Sequence, residues 1–130
     1  MIEPVHTAEI NSIDVRFFRS PLEGPDFPWH AVDDLAEAGG LPSELGRNYC
    51  KKLFRDWHHK IRQVMVKGEL VMIAPHYVGQ VMSEFIDGYQ PGFSKAYIKA
   101  SAAAERLVTA DMTWEERLDF TLSAGKRGRE

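Results

Sequence analysis

The sequence predicts an α+β fold in which small antiparallel β-hairpins pack against several helices. Three observations predict it: two short segments of alternating character flank a tight turn near the start, a second such pair follows mid-chain, and most of the remainder spaces its apolar residues at helical intervals. The 130 residues, 14.8 kDa in all, suit one domain covering 1–130. A composition of 44% hydrophobic and 27% charged residues is that of a chain able to build a core and argues against general disorder.

The elements follow in order. Ala8–Ile10 and Ile13–Phe18 flank Asn11-Ser12, a hairpin turn. Ile13, Val15 and Phe17 alternate with Asp14, Arg16 and Phe18, so one face is expected to pack and the other to meet water. Ser20–Pro28 holds three prolines and a glycine and reads as loop, because proline withholds a donor and turns its predecessor away from helix. Trp29–Ala38 reads as a short helix with Val32, Leu35 and Ala36 inward. Gly39-Gly40-Leu41-Pro42 ends it, and Ser43 caps a helix running to about Lys60. Along that helix Tyr49, Leu53, Trp57 and Ile61 recur every four residues, supported by Cys50 and Phe54, and form its core face.

The second hairpin is Arg62–Val66 and Leu70–Ile73 around a turn at Lys67-Gly68-Glu69. Pro75 suits a helix start, and a helix to about Asp87 carries Val78, Val81, Met82, Phe85 and Ile86 at helical spacing before Gly88 stops it. Phe93 to about Val108 is a further helix capped at Ser94 or nearby, and Thr113 with Glu116 makes a capping box for a last one through Leu122. Residues 93–123 thus form a helical C-terminal part, and 124–130 a frayed tail.

The net charge of −3 hides an uneven distribution. Residues 1–46 carry −7, residues 47–62 carry +5, and the remaining residues −1. Screening confines exposed charge to about 8–10 Å, so the local excess acts independently of the total. On a continuous helix Arg47, Lys51, Arg55, His58 and Arg62 fall within an arc of about 80°, roughly 120° from the apolar stripe. Together with the neighbouring Lys52 they make a candidate DNA-binding face, with cations spaced for phosphates and arginines able to read guanine edges. The alternative is a solvated face whose cations offset the acidic first third. Helix, glycine turn and basic second helix is also the order of a helix-turn-helix reader, with Leu35, Leu41 and Tyr49 at packing sites. Gly39 and Gly46 then stand where apolar side chains are wanted.

Other chemistries find little support. His6, His30, His58, His59 and His76 lie in separate contexts without metal-ligand spacing, so solvated or capping roles are expected and no metal or cofactor is implied. Asp33-Asp34 suits a helix start through the dipole. Cys50 lies on the apolar stripe as a small hydrophobe. No phosphate-binding glycine loop or serine elbow is present, and the expectation is a protein that is not an enzyme. The single cysteine and the start Met1-Ile2-Glu3-Pro4, neither basic nor apolar, suggest a cytoplasmic protein. No apolar run approaches the roughly 20 residues of a membrane span.

The segment Pro28-Trp29-His30-Ala31-Val32-Asp33-Asp34-Leu35-Ala36-Glu37-Ala38, between a hairpin and a basic helix, gives residues 8–87 a recognisable order. They resemble the N-terminal domain of the BRO family, found in phage antirepressors and baculovirus BRO proteins. Trp29, Asp33 or Asp34, and Leu35 take the places of that family's motif, with His30 where an aromatic is usual. Ile73-Ala74-Pro75-His76-Tyr77 stands where the family carries asparagine-glutamate-serine-glycine. The resemblance implies a phage-type regulator that binds DNA or, alternatively, an antirepressor-like module acting through protein contact. A protein that binds another protein and no nucleic acid would draw on Tyr89, Phe93, Tyr97, Ile98 and Trp114, which otherwise complete the core or a homodimer contact.

Overall fold

A computed structural model describes residues 2–24, 26–41, 43–124 and 126; the side chains of Ser43, Arg47, Cys50 and Phe54 lie outside the described set. The fold is α+β, an antiparallel five-stranded sheet with five α-helices. In chain order these are β1 (His6–Ile10), β2 (Ile13–Phe18), β3 (Trp29–Ala31), α1 (Val32–Gly39), α2 (Ser43–Trp57), β4 (Arg62–Val66), β5 (Glu69–Ala74), α3 (His76–Asp87), α4 (Phe93–Thr109) and α5 (Trp114–Ser123).

Both predicted hairpins form. Asn11 and Ser12 turn with φ of 52° and 67°, and Lys67 and Gly68 with 48° and 81°. Two consecutive left-handed residues match the twist of the strands they join. The second loop is therefore Lys67-Gly68 alone, and Glu69 already pairs with Val66.

The sheet order is β1-β2-β3-β5-β4. β3 pairs Phe17 and Phe18 with His30 and Trp29 on one side, and Ile73 and Ala74 with Ala31 and His30 on the other. This strand replaces the first turn of the helix expected over Trp29–Ala38. Three residues with no local strand signal become a strand because two long-range partners supply their hydrogen bonds.

Both sheet faces are packed. Val15, Phe17 and Ala74 meet Leu35 of α1, Val78 and Met82 of α3 and Tyr97 of α4 in the larger cluster. Phe18, Trp29, Ala31, Val66, Val71 and Ile73 form a second cluster with Leu22 of the proline-rich loop. Phe18 is thus fully buried, contrary to the expectation that its face meets water. Residues 2–5 explain the enclosure: Ile2 N–H donates to Met65 C=O on β4 (2.9 Å), and Val5 N–H to Phe17 C=O beside β1 (2.8 Å). In a flat sheet those flanks lie roughly 24 Å apart, whereas three residues reach about 11 Å. The sheet must curl, and its concave side encloses the second cluster.

The C-terminal helices follow expectation with one change. The capping box is present: Thr113 Oγ1 accepts from Glu116 N–H, and the Glu116 carboxylate from Thr113 N–H. For α4, the Asp87 carboxylate accepts from Gly92 N–H (2.9 Å) and Ser94 N–H (3.1 Å). The cap therefore comes from the end of α3 and not from the Ser94 side chain. Of the expected frayed tail, residues 125 and 127–130 lie outside the described residues.

Candidate nucleic-acid interface

The site is built on α2, whose inward face is apolar. Leu53 is 4% exposed, and Tyr49, Trp57 and Ile61 are half-buried against the larger core cluster. Tyr49 stacks on Phe85 of α3 (centroids 3.9 Å, planes 5° apart), and Trp57 meets Tyr77 of α3 edge-on at 5.3 Å. Aromatic pairs of this geometry add to the area they bury. The helix that steadies α2 is thus α3, which a helix-turn-helix reading of α1 and α2 does not anticipate.

The connection from α1 also explains a mismatch. Gly39, at a position where that motif wants an apolar side chain, lies against Ile86: a Cβ there would sit 2.6 Å from its Cδ1. Ile86 of α3 fills the space itself. Gln90 Nε2 donates to Gly39 C=O, and Asn11 Nδ2 donates to Ala38 C=O (3.0 Å), so the first hairpin and the α3–α4 corner close this end of α1.

On the outward side Lys51, Lys52 and Arg55 are exposed. The Arg47 side chain lies outside the described residues. The helix does not continue to Lys60: it ends at Trp57, and His58–Lys60 form a 3-10 turn leading into β4. The single helical arc therefore holds only as far as Arg55, and Arg62 is the first residue of a strand. His58 Nδ1 lies 3.2 Å from Arg55 C=O, and Arg62 Nη1 donates to His59 C=O at 3.2 Å. These bonds fold the basic segment into a bend carrying exposed Arg55, His58 and Arg62. The chain turns because Ile61 must stay on the core while Arg62 starts to pair with Ile73 of β5.

The ion pairs tell where the acidic residues go. Among the described residues Lys51, Lys52 and Arg62 make no ion pair, and Arg55 pairs only with its neighbour Asp56, at 3.3 Å with both groups in water. Such an exposed pair contributes little. Asp34 is committed elsewhere: it accepts from Arg16 Nε (2.8 Å), Nη2 (3.0 Å) and backbone N–H (3.1 Å), which ties α1 to β2. That hydrogen bond and charge hold the Arg16 guanidinium above its ordinary pKa. The acidic first third does not neutralise the basic segment through direct pairs among the described residues.

The histidines divide. His58 and His59 are exposed, but His30 is fully buried, which corrects its expected solvated or capping role. Its two ring nitrogens have no hydrogen-bond partner among the described residues. Burial, helped by the neighbouring His76, lowers its pKa to about 3. The ring stands edge-on to Tyr97 at 5.7 Å, and Gly79 makes room for it, since a Cβ there would lie 2.8 Å from His30 Cε1. Tyr97 Oη donates to His76 C=O (3.0 Å), and Ser101 Oγ lies 3.0 Å from His76 Nδ1. Burial raises the Tyr97 phenol. No sequence signal marks His30 for the interior except its place between Trp29 and Ala31 in an unrecognised strand. Among the described residues no group of three or more His, Cys, Asp or Glu is placed to hold a metal ion, and no helix is long and apolar enough to cross a membrane.

No family model, curated protein or solved structure matches the chain.

Proposed function

We propose that the chain is a non-catalytic DNA-binding regulator of the phage type, contacting the duplex through Lys51, Lys52, Arg55, His58 and Arg62, with Arg47 on the same helix. One observation carries the reading: the basic segment exposes its cations while the opposite side of the same helix is fixed to the core by Leu53, Tyr49 and Trp57. Cations carried on a folded helix and the turn that follows it meet a polyphosphate with less of the chain left to order. The bend adds a geometric element, because strand-borne Arg62 and helix-borne Lys51 address different stretches of backbone. The resemblance of the Trp29–Ala38 segment and its flanking elements to the BRO N-terminal domain, read from the sequence, is what suggests a regulatory context.

The test is fluorescence anisotropy of a labelled duplex titrated with the wild-type chain and with a Lys51→Glu, Arg55→Glu double variant. Four phosphate contacts imply a roughly hundredfold loss of affinity between about 50 and about 200 mM salt, and the double variant should flatten the log–log slope by about two contacts. Unchanged affinity in the folded variant would remove the site; absence of wild-type binding to any duplex would remove the function.

A second reading, an antirepressor-like module acting through protein contact, is favoured by α5. Trp114, Leu118 and Leu122 are 69%, 48% and 64% exposed and fall on one side of that helix. An exposed apolar stripe along a helix is the kind of surface a protein partner covers. Loss of a partner on Trp114→Ser, Leu118→Ser substitution, with no effect of the charge reversal, would select this reading.

A further inference from the structure

Beneath the basic row lies a groove of about 380 Å³ between α2, the start of α1 and β5. Its floor is apolar: Val32, Leu53, Ile61 and Met72. Lys51 and Arg55, one helical turn apart, stand at its rim, with Asp33 the third charged residue there. Among the described residues two cations against one carboxylate leave a net positive edge over a hydrophobic floor. Arg55 meets Asp56 through Nε, and that pair is exposed to water.

From this juxtaposition we infer that the groove binds a small amphipathic monoanion, a molecule with an apolar body and one carboxylate. The volume lies within the range of small-ligand sites, and the pattern of apolar walls with few convergent polar groups is the usual one. The body would lie on Leu53, Ile61 and Met72 and exchange water for side-chain contact. The carboxylate would take a charge-assisted hydrogen bond from the Arg55 guanidinium and lie beside the Lys51 ammonium. A fully apolar ligand would leave both cations unused, and a small polar anion such as phosphate would leave the floor wet. The inference goes beyond the DNA reading and does not depend on it. Where both hold, ligand and duplex compete for the same two cations.

Isothermal titration of the full chain, with no nucleic acid present, tests it. The probes are decanoate and 1-naphthoate for aliphatic and aromatic bodies, decanol for the body without charge, and phosphate for charge without the body. At least one of the two carboxylates should bind about tenfold or more tightly than decanol, and phosphate should give no heat. Lys51→Gln, Arg55→Gln, both at exposed positions, should weaken that carboxylate about tenfold and leave decanol unchanged. Met72→Trp, with its fold checked by circular dichroism, should abolish binding of both by filling the groove. Equal binding of carboxylate and decanol, retention of carboxylate affinity in the double glutamine variant, or no binding of either carboxylate would overturn the proposal.

Discussion

Helices α2 and α5 are both amphipathic, and they are mounted in opposite senses. α2 turns Tyr49, Leu53 and Trp57 inward and its cations outward. α5 turns Trp114, Leu118 and Leu122 outward and has no buried residue. Its visible aromatic attachment is Phe120, edge-on to Phe27 at 5.5 Å, which in turn lies 5.0 Å from His76. Periodicity reveals an apolar stripe but not the surface that will receive it. In α2 the receiver is α3 of the same chain; for α5 none is found among the described residues.

The difference is tested first by truncation. Leu53→Ala should cost about 2–5 kcal/mol in urea unfolding, because a buried leucine leaves a cavity. Leu118→Ala should stay within about 0.5 kcal/mol, as exposed positions do. Comparable losses at the two sites would mean that α5 is buried in solution, by a second copy or by other chain.

Acid should act on the core, through His30 of β3. The folded state holds the His30 pKa at about 3 against 6.5 for a free ring, through burial and then His76, so it binds fewer protons than the unfolded chain. Stability from this group is complete above pH 6.5 and falls as the pH is lowered toward 3, by about 2 kcal/mol between pH 7 and pH 5. Urea midpoints measured across that window should follow this slope, and His30→Leu should flatten it. A wild-type profile flat from pH 7 to pH 5 would show that His30 is reached by water.

A smaller effect belongs to α5 alone. Thr113→Ala removes both the hydroxyl acceptor and the reciprocity of the box, and should cost about 1 kcal/mol. Because α5 is attached so sparingly, the loss should appear as faster amide exchange in α5 with little change in the global midpoint. The smallest effect is expected at Lys51→Glu, Arg55→Glu, below about 0.5 kcal/mol, since neither cation holds the fold together. A large loss there would mean that the basic row is structural.

Local chemistry made much of this molecule legible in its sequence. Asn11-Ser12 and Lys67-Gly68 announce turns through backbone preference alone, and Thr113 with Glu116 announces a cap through a three-residue reach. The aromatic stripe of α2 is equally local, being a matter of one period. What escapes is set at a distance. Trp29–Ala31 is a strand only because β2 and β5 stand on either side, and Phe18 is buried only because the sheet curls over it. The end of α2 at Trp57 depends on the competing demand of Arg62 to pair with Ile73. For the candidate site, charge counting singles out the basic segment, while the bend that divides it between helix and strand, and the groove beneath, depend on partners from α1 and β5.

The three-residue β3 has a kinetic consequence. Each outer ribbon of the sheet closes on itself through a two-residue loop and needs nothing from the other. In the sheet ladder they are joined where Trp29, His30 and Ala31 pair with residues on both sides, Ile73 and Ala74 lying more than forty positions downstream, while Ile2 adds a bond to Met65 at the far flank. Closing a loop of that length costs entropy before any contact repays it. Contact order thus predicts that the seam forms after the two local ribbons.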